Sequence, residues 1–160
     1  MYIICKVLRP EDQYHAGIVV ADLDATLEKL TALAGYQFAD EYKGDNLVRT
    51  PDGESLVSMR FAYSLGPAPL IEVIQQCPGT VWMPVPGSGL HHVGYWVDDV
   101  EAESAALEAA GLSLEVAGVG PDGNPYWAYY SDGIGPRLEL VSRAAKPMID
   151  AWTTTGKMPF

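Results

Sequence analysis

Apolar and polar residues follow the same order twice along the chain. A short run rich in β-branched residues opens each copy, at residues 15–20 and 92–97, and acidic residues close each run. Apolar residues at helical spacing come next, and Gly35 or Gly111 then stands where a left-handed helix cap is expected. Three further strand candidates, separated by turns rich in Pro, Asp and Gly, complete each copy. The pattern predicts one β-α-β-β-β module in each half of the chain.

The boundaries of these elements are predicted from the same signals. Acidic N-caps are expected at Asp22 or Asp24 and at Asp98 or Asp99. The strands that follow the helices are predicted at residues 36–42, 56–63 and 70–74 and at residues 113–116, 126–131 and 137–141. A short helix is expected around residues 148–152, and a peripheral strand or arm in the first fourteen residues.

The chain is predicted to be one domain, residues 1–160, made of two modules. Module 1 spans residues 13–76 and module 2 spans residues 90–143. The segment 77–89 between them is rich in proline and glycine and is predicted to be a linker. Residues 144–160 are predicted to form the C-terminal helix and tail.

The repeat extends to individual residues. The run HAGIVVADLD at 15–24 is answered by HVGYWVDDVE at 92–101, so His15 and His92 are equivalent at an offset of 77 positions. The closing strands, LIEVI and RLELV, place Glu72 and Glu139 in matching positions. Each half therefore contributes one histidine and one carboxylate, and both are common metal ligands.

Strand periodicity predicts that these four side chains share a surface. Successive side chains of a strand point to opposite faces, so all four can leave the face that the helices cover. If the two halves pair into one curved, half-open mixed sheet, the four side chains converge on its concave side. The sequence thus predicts an α+β fold in which Gly17 and Gly94 leave room beside a metal ion for a ligand.

Composition narrows the possible partners. Apolar residues make up 48% of the 160 residues, enough for a full core, and the net charge of -11 disfavours nucleic acid. A signal peptide and a run of membrane-spanning length are both lacking in the sequence, so no membrane association is expected. Two cysteines far apart suggest no disulfide framework. A cytoplasmic location is the expectation.

These motifs resemble the vicinal oxygen chelate superfamily. The resemblance covers roughly residues 13–143 and includes both H-x-G-x-x-V-x-D strands and the acidic residue of each closing strand. The second half, with GLHHVGYWVDDVEA and PRLELVS, resembles the glyoxalase and methylmalonyl-CoA epimerase branch. The resemblance implies a homodimer and a metal site of His15, Glu72, His92 and Glu139. Epimerases of this branch often have glutamine where Glu72 stands, whereas glyoxalase I has glutamate.

Two imidazoles and two carboxylates suit a divalent ion, namely nickel, cobalt, manganese, iron(II), zinc or magnesium. Four protein ligands would leave two positions for adjacent oxygens of a small-molecule substrate. A glutamate could then remove the proton next to the chelated carbonyl, and the resemblance favours Glu139 as this base, with Glu72 as its counterpart. The predicted function is a metal-dependent isomerase or lyase of the glyoxalase or acyl-CoA epimerase type.

Two other functions remain open from the sequence. One is a binding protein on the same fold that sequesters a small molecule without metal. The other is a ring-cleaving dioxygenase with iron(II), which needs a further acid-base histidine, and only His91 is left for that role. His91 is predicted to face the helix side or the strand entrance and to be structural, because its counterpart in the repeat is Tyr14.

Substrate contacts are harder to predict. Trp96 shares its predicted face with His92 and is a candidate to line the pocket. Arg49 and Arg60 are candidates to hold an anionic substrate tail. Three other aromatic residues, Trp82, Trp127 and Tyr129, are predicted to belong either to the pocket or to the core.

Overall fold

The chain forms strands and helices in the predicted order over residues 7–159, the part that this computed structural model describes. The strands are β1 (Gln13–Val20), β2 (Tyr42–Thr50), β3 (Gly53–Tyr63), β4 (Leu70–Gln75), β5 (Leu90–Val97), β6 (Ser113–Val119), β7 (Pro125–Ser131) and β8 (Arg137–Ser142). The α-helices are α1 (Leu23–Ala34), α2 (Val100–Ala109) and α3 (Lys146–Thr155). Residues 1–6 of the predicted N-terminal arm lie outside the described residues, and a short 3-10 helix (Pro10–Asp12) leads into β1.

The two crossover helices begin at equivalent caps. The side chain of Asp22 accepts a hydrogen bond from the backbone N–H of Ala25, and Asp99 accepts one from Ala102, both at 3.0 Å. Gly35 ends α1 in the left-handed conformation with φ 74°. These contacts decide between the alternative caps that the sequence left open.

The strands close into a barrel in the order β1-β4-β3-β2-β6-β7-β8-β5. The two modules meet along β1 and β5, which run antiparallel, and again where Val48 of β2 pairs with Gly118 of β6. The α+β class is as predicted, but the predicted half-open sheet is wrong. Because β2 and β6 hydrogen-bond to each other, neither strand leaves an unpaired edge. The alternation of apolar and polar residues within one module carries no information about this pairing between modules.

The largest shift from the predicted boundaries concerns β2. The predicted strand 36–42 is reduced to one isolated bridge between Phe38 and Ser64, and β2 runs from Tyr42 to Thr50 instead. Its sequence is polar, yet continuous pairing with β3 from Tyr42 opposite Phe61 to Thr50 opposite Gly53 stabilises it as a strand. Tertiary pairing thus overrides the weak intrinsic preference of this segment.

Helix α3 covers one end of the barrel interior. Trp152 of α3 donates a hydrogen bond from its indole N–H to the carbonyl oxygen of Asp40 at 3.0 Å, and the N–H of Asp40 bonds to the carbonyl of Gly156. These bonds attach α3 to the segment between α1 and β2. Within residues 7–159, none of the helices is both long and apolar enough to cross a membrane.

Candidate metal centre

The junction of β1 and β5 places the two repeat histidines beside each other. In this antiparallel pair Gly17 lies opposite His92 and His15 lies opposite Gly94. A Cβ atom added to Gly17 would overlap the ring of His92, and one added to Gly94 would overlap the ring of His15. The glycines were predicted to leave room for a ligand. In the structure each makes room for the histidine of the other module.

Two β-bulges turn additional side chains into the barrel. The register of β1 against β5 shifts at Tyr14 and again at His91, which are equivalent positions of the repeat. A bulge inserts one extra residue, so two successive side chains can face the same side of the sheet. Tyr14 and His91 are therefore buried next to His15 and His92. Of the two predicted positions for His91, the helix side is wrong, and the side chain lies at the start of β5 beside His92.

The four predicted ligands lie together in the barrel interior. His15, Glu72, His92 and Glu139 are all buried, and one donor atom of each lies within 4.8 Å of all the others. The two Nε2 atoms are 2.9 Å apart, Glu139 Oε2 is 2.8 Å from His15 Nε2, and Glu72 Oε2 is 3.0 Å from His92 Nε2. The structure thus brings together all four side chains that the repeat singled out.

These distances suit a shared cation. Two nitrogen atoms that coordinate one metal ion at about 2.0–2.1 Å, at right angles to each other, lie about 2.9 Å apart. Glu139 Oε2 has no hydrogen-bond partner in the described part of the chain, although it is buried. Two buried carboxylates and two converging imidazole nitrogens are costly without a cation between them. The donor set therefore fits a divalent metal ion.

Protons take the place of the cation when the metal is absent. Burial alone would lower the pKa of His15, but the charge and hydrogen bonding of Glu139 and Glu72 outweigh it and raise this pKa to about 9. Burial alone would raise the pKa of Glu72, yet the hydrogen bonds from His15 and His92 lower it well below its usual range. At neutral pH the metal-free cluster therefore contains a protonated His15 beside ionised glutamates.

Metal binding is expected to depend on pH as a consequence. A metal ion must displace the proton from His15, so between pH 6 and pH 8 the apparent dissociation constant should fall about tenfold per pH unit. Competition with a chromogenic chelator at each pH measures this constant, and titration in weak buffer measures the proton released. An affinity that stays constant across this range would show that His15 carries no competing proton.

His91 orients His92 through a chain of hydrogen bonds. The carbonyl oxygen of Val81, in the linker, can only accept, so His91 Nε2, 2.9 Å away, donates to it. Burial lowers the pKa of His91 to about 4, so at neutral pH its Nδ1 is an acceptor, and it lies 2.9 Å from Nδ1 of His92. The Nδ1–H of His92 then donates to His91, which leaves the Nε2 lone pair of His92 directed at the other ligands.

The ligands border a cavity of about 350 Å³ inside the barrel. Glu72 and Glu139 lie in its wall, and Met148, Ile149 and Trp152 of α3 cover it. Aromatic residues dominate the rest of the lining: Tyr14, Phe61, Tyr63, Trp127, Tyr129 and Trp152. Sequence reasoning left Trp82, Trp127 and Tyr129 undecided, and all three line the cavity; it missed Tyr14, Phe61 and Tyr63. The spacing of two residues within β3 and within β7 is the signal that could have indicated a shared inner face.

The predicted substrate contacts lie elsewhere. Trp96 is buried, but it stacks on Tyr14 with ring centroids 3.8 Å apart and does not line the cavity. Arg49 pairs with Glu54 at 2.7 Å, and Arg60 bonds to Glu41 and Asp24 on the outer surface. Neither arginine lines the cavity, because the inner positions of β2 and β3 are occupied by other side chains. Trp96 supports a lining residue, and both arginines neutralise surface carboxylates.

A closed barrel of two β-α-β-β-β repeats, with one histidine and one glutamate from each repeat at the junction, defines a class of paired-module proteins with an internal candidate metal site. The chain belongs to the Glyoxalase/Bleomycin resistance protein/Dioxygenase superfamily, whose family model matches residues 14–130. The resemblance found in the sequence is thereby confirmed. Among curated proteins, none matches the chain.

Solved structures share the fold at low sequence identity. Methylmalonyl-CoA epimerase from Mycobacterium tuberculosis has a TM-score of 0.60 at 24% identity, with 85% of this chain and 90% of that chain covered. A variant of the Streptomyces coelicolor epimerase in complex with 2-nitronate-propionyl-CoA has a TM-score of 0.59 at 22% identity, with 84% and 98% covered. A hypothetical protein from Bacillus halodurans C-125 has a TM-score of 0.54 at 17% identity, with 82% and 93% covered.

Proposed function

We propose that this chain is a metal-dependent isomerase or lyase that removes the proton next to a chelated carbonyl group. The observation that carries the proposal is the convergence of four buried donor atoms, from His15, Glu72, His92 and Glu139, beside a cavity whose wall includes the two glutamates. A divalent ion held there (nickel, cobalt, manganese, iron, zinc or magnesium) would polarise the carbonyl and stabilise the negative charge that proton removal leaves.

Glu139 is proposed as the base. Its side chain borders the cavity, and although its Oε2 atom lies 2.8 Å from His15 Nε2, the angle there is not that of a hydrogen bond, whereas Glu72 Oε2 is hydrogen-bonded to His92 Nε2 at 3.0 Å. Burial alone would raise the pKa of Glu139, but the neighbouring His15 and His92 lower it, so the carboxylate is ionised at neutral pH. An ionised carboxylate with an open lone pair can accept the substrate proton.

The remaining residues protect this proton transfer. Helix α3 and the aromatic lining limit the access of water to the cavity, so the proton transfer takes place in surroundings of low dielectric constant. A proton delivered to the opposite face of the same carbon gives epimerisation, and one delivered to the neighbouring carbon gives isomerisation. Glu72 lies in the same cavity wall as Glu139 and is the counterpart that could deliver a proton from its own position.

The chain of hydrogen bonds through His91 disfavours a ring-cleaving dioxygenase function. His91 Nε2 is bonded to the carbonyl of Val81, and His91 does not line the cavity. The further acid-base histidine that a ring-cleaving dioxygenase needs is therefore not offered by His91. A homodimer is proposed from the resemblance to the superfamily.

Metal content and hydrogen exchange test the proposal. Protein dialysed against each candidate metal should retain about one ion per chain, and it should exchange the α-hydrogen of a substrate with solvent deuterium. Suitable probes are methylmalonyl-CoA and methyl mandelate, followed by NMR. Removal of the metal with a chelator should abolish exchange, and added metal should restore it. Exchange that survives exhaustive chelation would contradict the proposal.

A matched pair of variants tests the base. Glu139→Gln should slow the exchange about 100-fold or more, because a general base contributes roughly 10²–10⁴ in rate. Glu28→Gln removes the same charge from the exposed face of α1 and should leave the rate unchanged. Equal rates in wild type and Glu139→Gln, at equal metal content, would transfer the role to Glu72.

A further inference from the structure

We infer that the site takes a compact, non-anionic aromatic molecule with two adjacent oxygens, and not a coenzyme A thioester. The inference deepens the proposed function and rests on it for the paired oxygens. It concerns the chemistry of the cavity and of the groove beside it, which neither the family match nor the shared fold decides.

The cavity lining contains no cation in the described part of the chain. Its charged members are Glu72 and Glu139, and the rest are aromatic, aliphatic or amide side chains. Because these two carboxylates offset the charge of a bound divalent ion, an anionic group inside would find no side-chain cation to compensate its own charge. The aromatic rings instead offer faces and edges to another ring, with Phe61 and Tyr63 on one wall and Trp127 and Tyr129 on another.

The size of the cavity limits what can enter. At about 350 Å³ it lies at the lower end of the range for small-molecule sites, which is roughly 300–1,000 Å³. One substituted ring fills such a volume. The nucleotide and phosphate groups of a coenzyme A thioester would have to lie outside, on the surface that adjoins the cavity.

That adjoining surface is acidic. A groove shares Tyr42, Asn46 and Tyr126 with the cavity. It is lined by five carboxylates: Asp45, Asp98, Asp99, Glu101 and Asp122. Asp98 is ion-paired with Arg143, but the groove has no lysine or arginine in its own lining. The N-terminus of α2 also opens here, where the side chain of Asp99 caps it and Glu101 lies in its first turn. Phosphates would meet repulsion along this path.

The arginines of the chain are already paired with carboxylates. All five of them, Arg9, Arg49, Arg60, Arg137 and Arg143, form ion pairs with carboxylates of the chain. Phosphate recognition depends on guanidinium or ammonium groups that are available to the ligand, and no lysine of the described residues lines the cavity or the groove. Releasing an arginine from its carboxylate to bind phosphate would leave that carboxylate without its partner.

Tyr14 supplies a polar contact for such a substrate. Its hydroxyl is buried in the cavity wall and has no hydrogen-bond partner in residues 7–159. The phenol O–H can donate one hydrogen bond. A substrate oxygen that accepts this bond would satisfy the hydroxyl, as buried polar groups normally are. The cavity therefore combines one unpaired donor, an aromatic lining and the two glutamates.

Three probes separate charge from size. Methyl mandelate carries a ring, a hydroxyl and a carbonyl without charge, mandelate has the same skeleton with a carboxylate, and methylmalonyl-CoA is the ligand named for one of the epimerase structures of this fold. Binding to the metal-loaded protein is followed by the fluorescence of Trp82, Trp127 and Trp152, which line the cavity. The measurement is repeated after chelation. Methyl mandelate should bind at least about tenfold more tightly than the other two in the chelated protein, because burying an uncompensated charge is costly.

A pair of charge variants tests the cause. Asn46→Arg places a cation where the groove meets the cavity and should strengthen mandelate binding several-fold. Leu33→Arg adds the same charge on an exposed position of α1 and should leave all three affinities unchanged. If Leu33→Arg acts like Asn46→Arg, net charge decides affinity and the local explanation is overturned.

The outcome separates this inference from the proposed function. If methylmalonyl-CoA binds as tightly as methyl mandelate, or if methyl mandelate does not bind, the substrate class is overturned while metal-dependent exchange can still hold. If the order of affinities holds but no metal is retained, the cavity selectivity stands and the metal-dependent reaction fails.

Discussion

Replacing His92 by alanine is expected to weaken divalent-metal binding about 100-fold or more. Structural zinc sites with four ligands bind with about 10–16 kcal/mol, which corresponds to about 3 kcal/mol for each ligand. His92 supplies one of two nitrogen donors, and its Nε2 atom lies within 3.4 Å of donor atoms on all three of the other residues. Isothermal titration with manganese or cobalt measures the affinity, and elemental analysis after gel filtration measures the retained metal.

The neighbouring histidine provides the matched comparison. His91→Phe keeps the ring volume but breaks the chain from Val81 to His92, and the loss of such an orienting partner costs about 10–100-fold in metal affinity. His91→Gln, which can both accept and donate, should recover part of the loss. In ¹⁵N NMR the Nδ1–H signal of His92 should change in His91→Phe. Loss of metal in His91→Ala with retention in His92→Ala would overturn the ligand assignment.

The second large effect is expected from Gly94→Ala. A methyl group at this position overlaps the ring of His15, which is fully buried and cannot move aside into solvent. Overpacking of a buried site costs about 1–3 kcal/mol in the free energy of unfolding, and displacement of His15 removes a metal ligand at the same time. Urea unfolding and metal analysis should therefore change together.

Gly135→Ala is the control for this substitution. Gly135 has open space around its Cα atom and no positive φ, so an added methyl group meets nothing. Its unfolding free energy and metal content should match those of the wild type. If Gly94→Ala also matches the wild type in both, the close approach of the two modules is not what positions His15.

Much of the fold could be predicted from the repeat. The strands that open each module, their caps at Asp22 and Asp99 and the closing strands lie close to the predicted positions. These elements have strong local signals: β-branched runs, acidic caps and alternation over several residues. The strand predicted at residues 36–42 was wrong because β2 is polar and owes its conformation to pairing with β3.

The candidate site, like the fold, was predicted correctly only in part. The offset of 77 positions selected His92 over His91 as the equivalent of His15, and the four side chains of the repeat do meet. The role of the glycines was misplaced, because Gly17 and Gly94 lie opposite histidines of the other strand, and only the pairing of β1 with β5 reveals that contact. The bulges at Tyr14 and His91 could not be predicted either, because the prediction assumed that side chains alternate strictly between the two faces of a strand.

By itself the sequence determined the class of fold and the four side chains that converge, because duplication puts equivalent residues in equivalent strands and strand alternation sends them to one face. The tertiary structure decided everything that depends on contacts between distant segments. Pairing of Val48 with Gly118 closes the barrel, the carbonyl of Val81 orients His91, and α3 covers the cavity. Hydrogen bonds across strand edges and packing of a helix against a barrel leave no periodic signal within either module. These contacts differ between the two similar halves, and they make the site asymmetric.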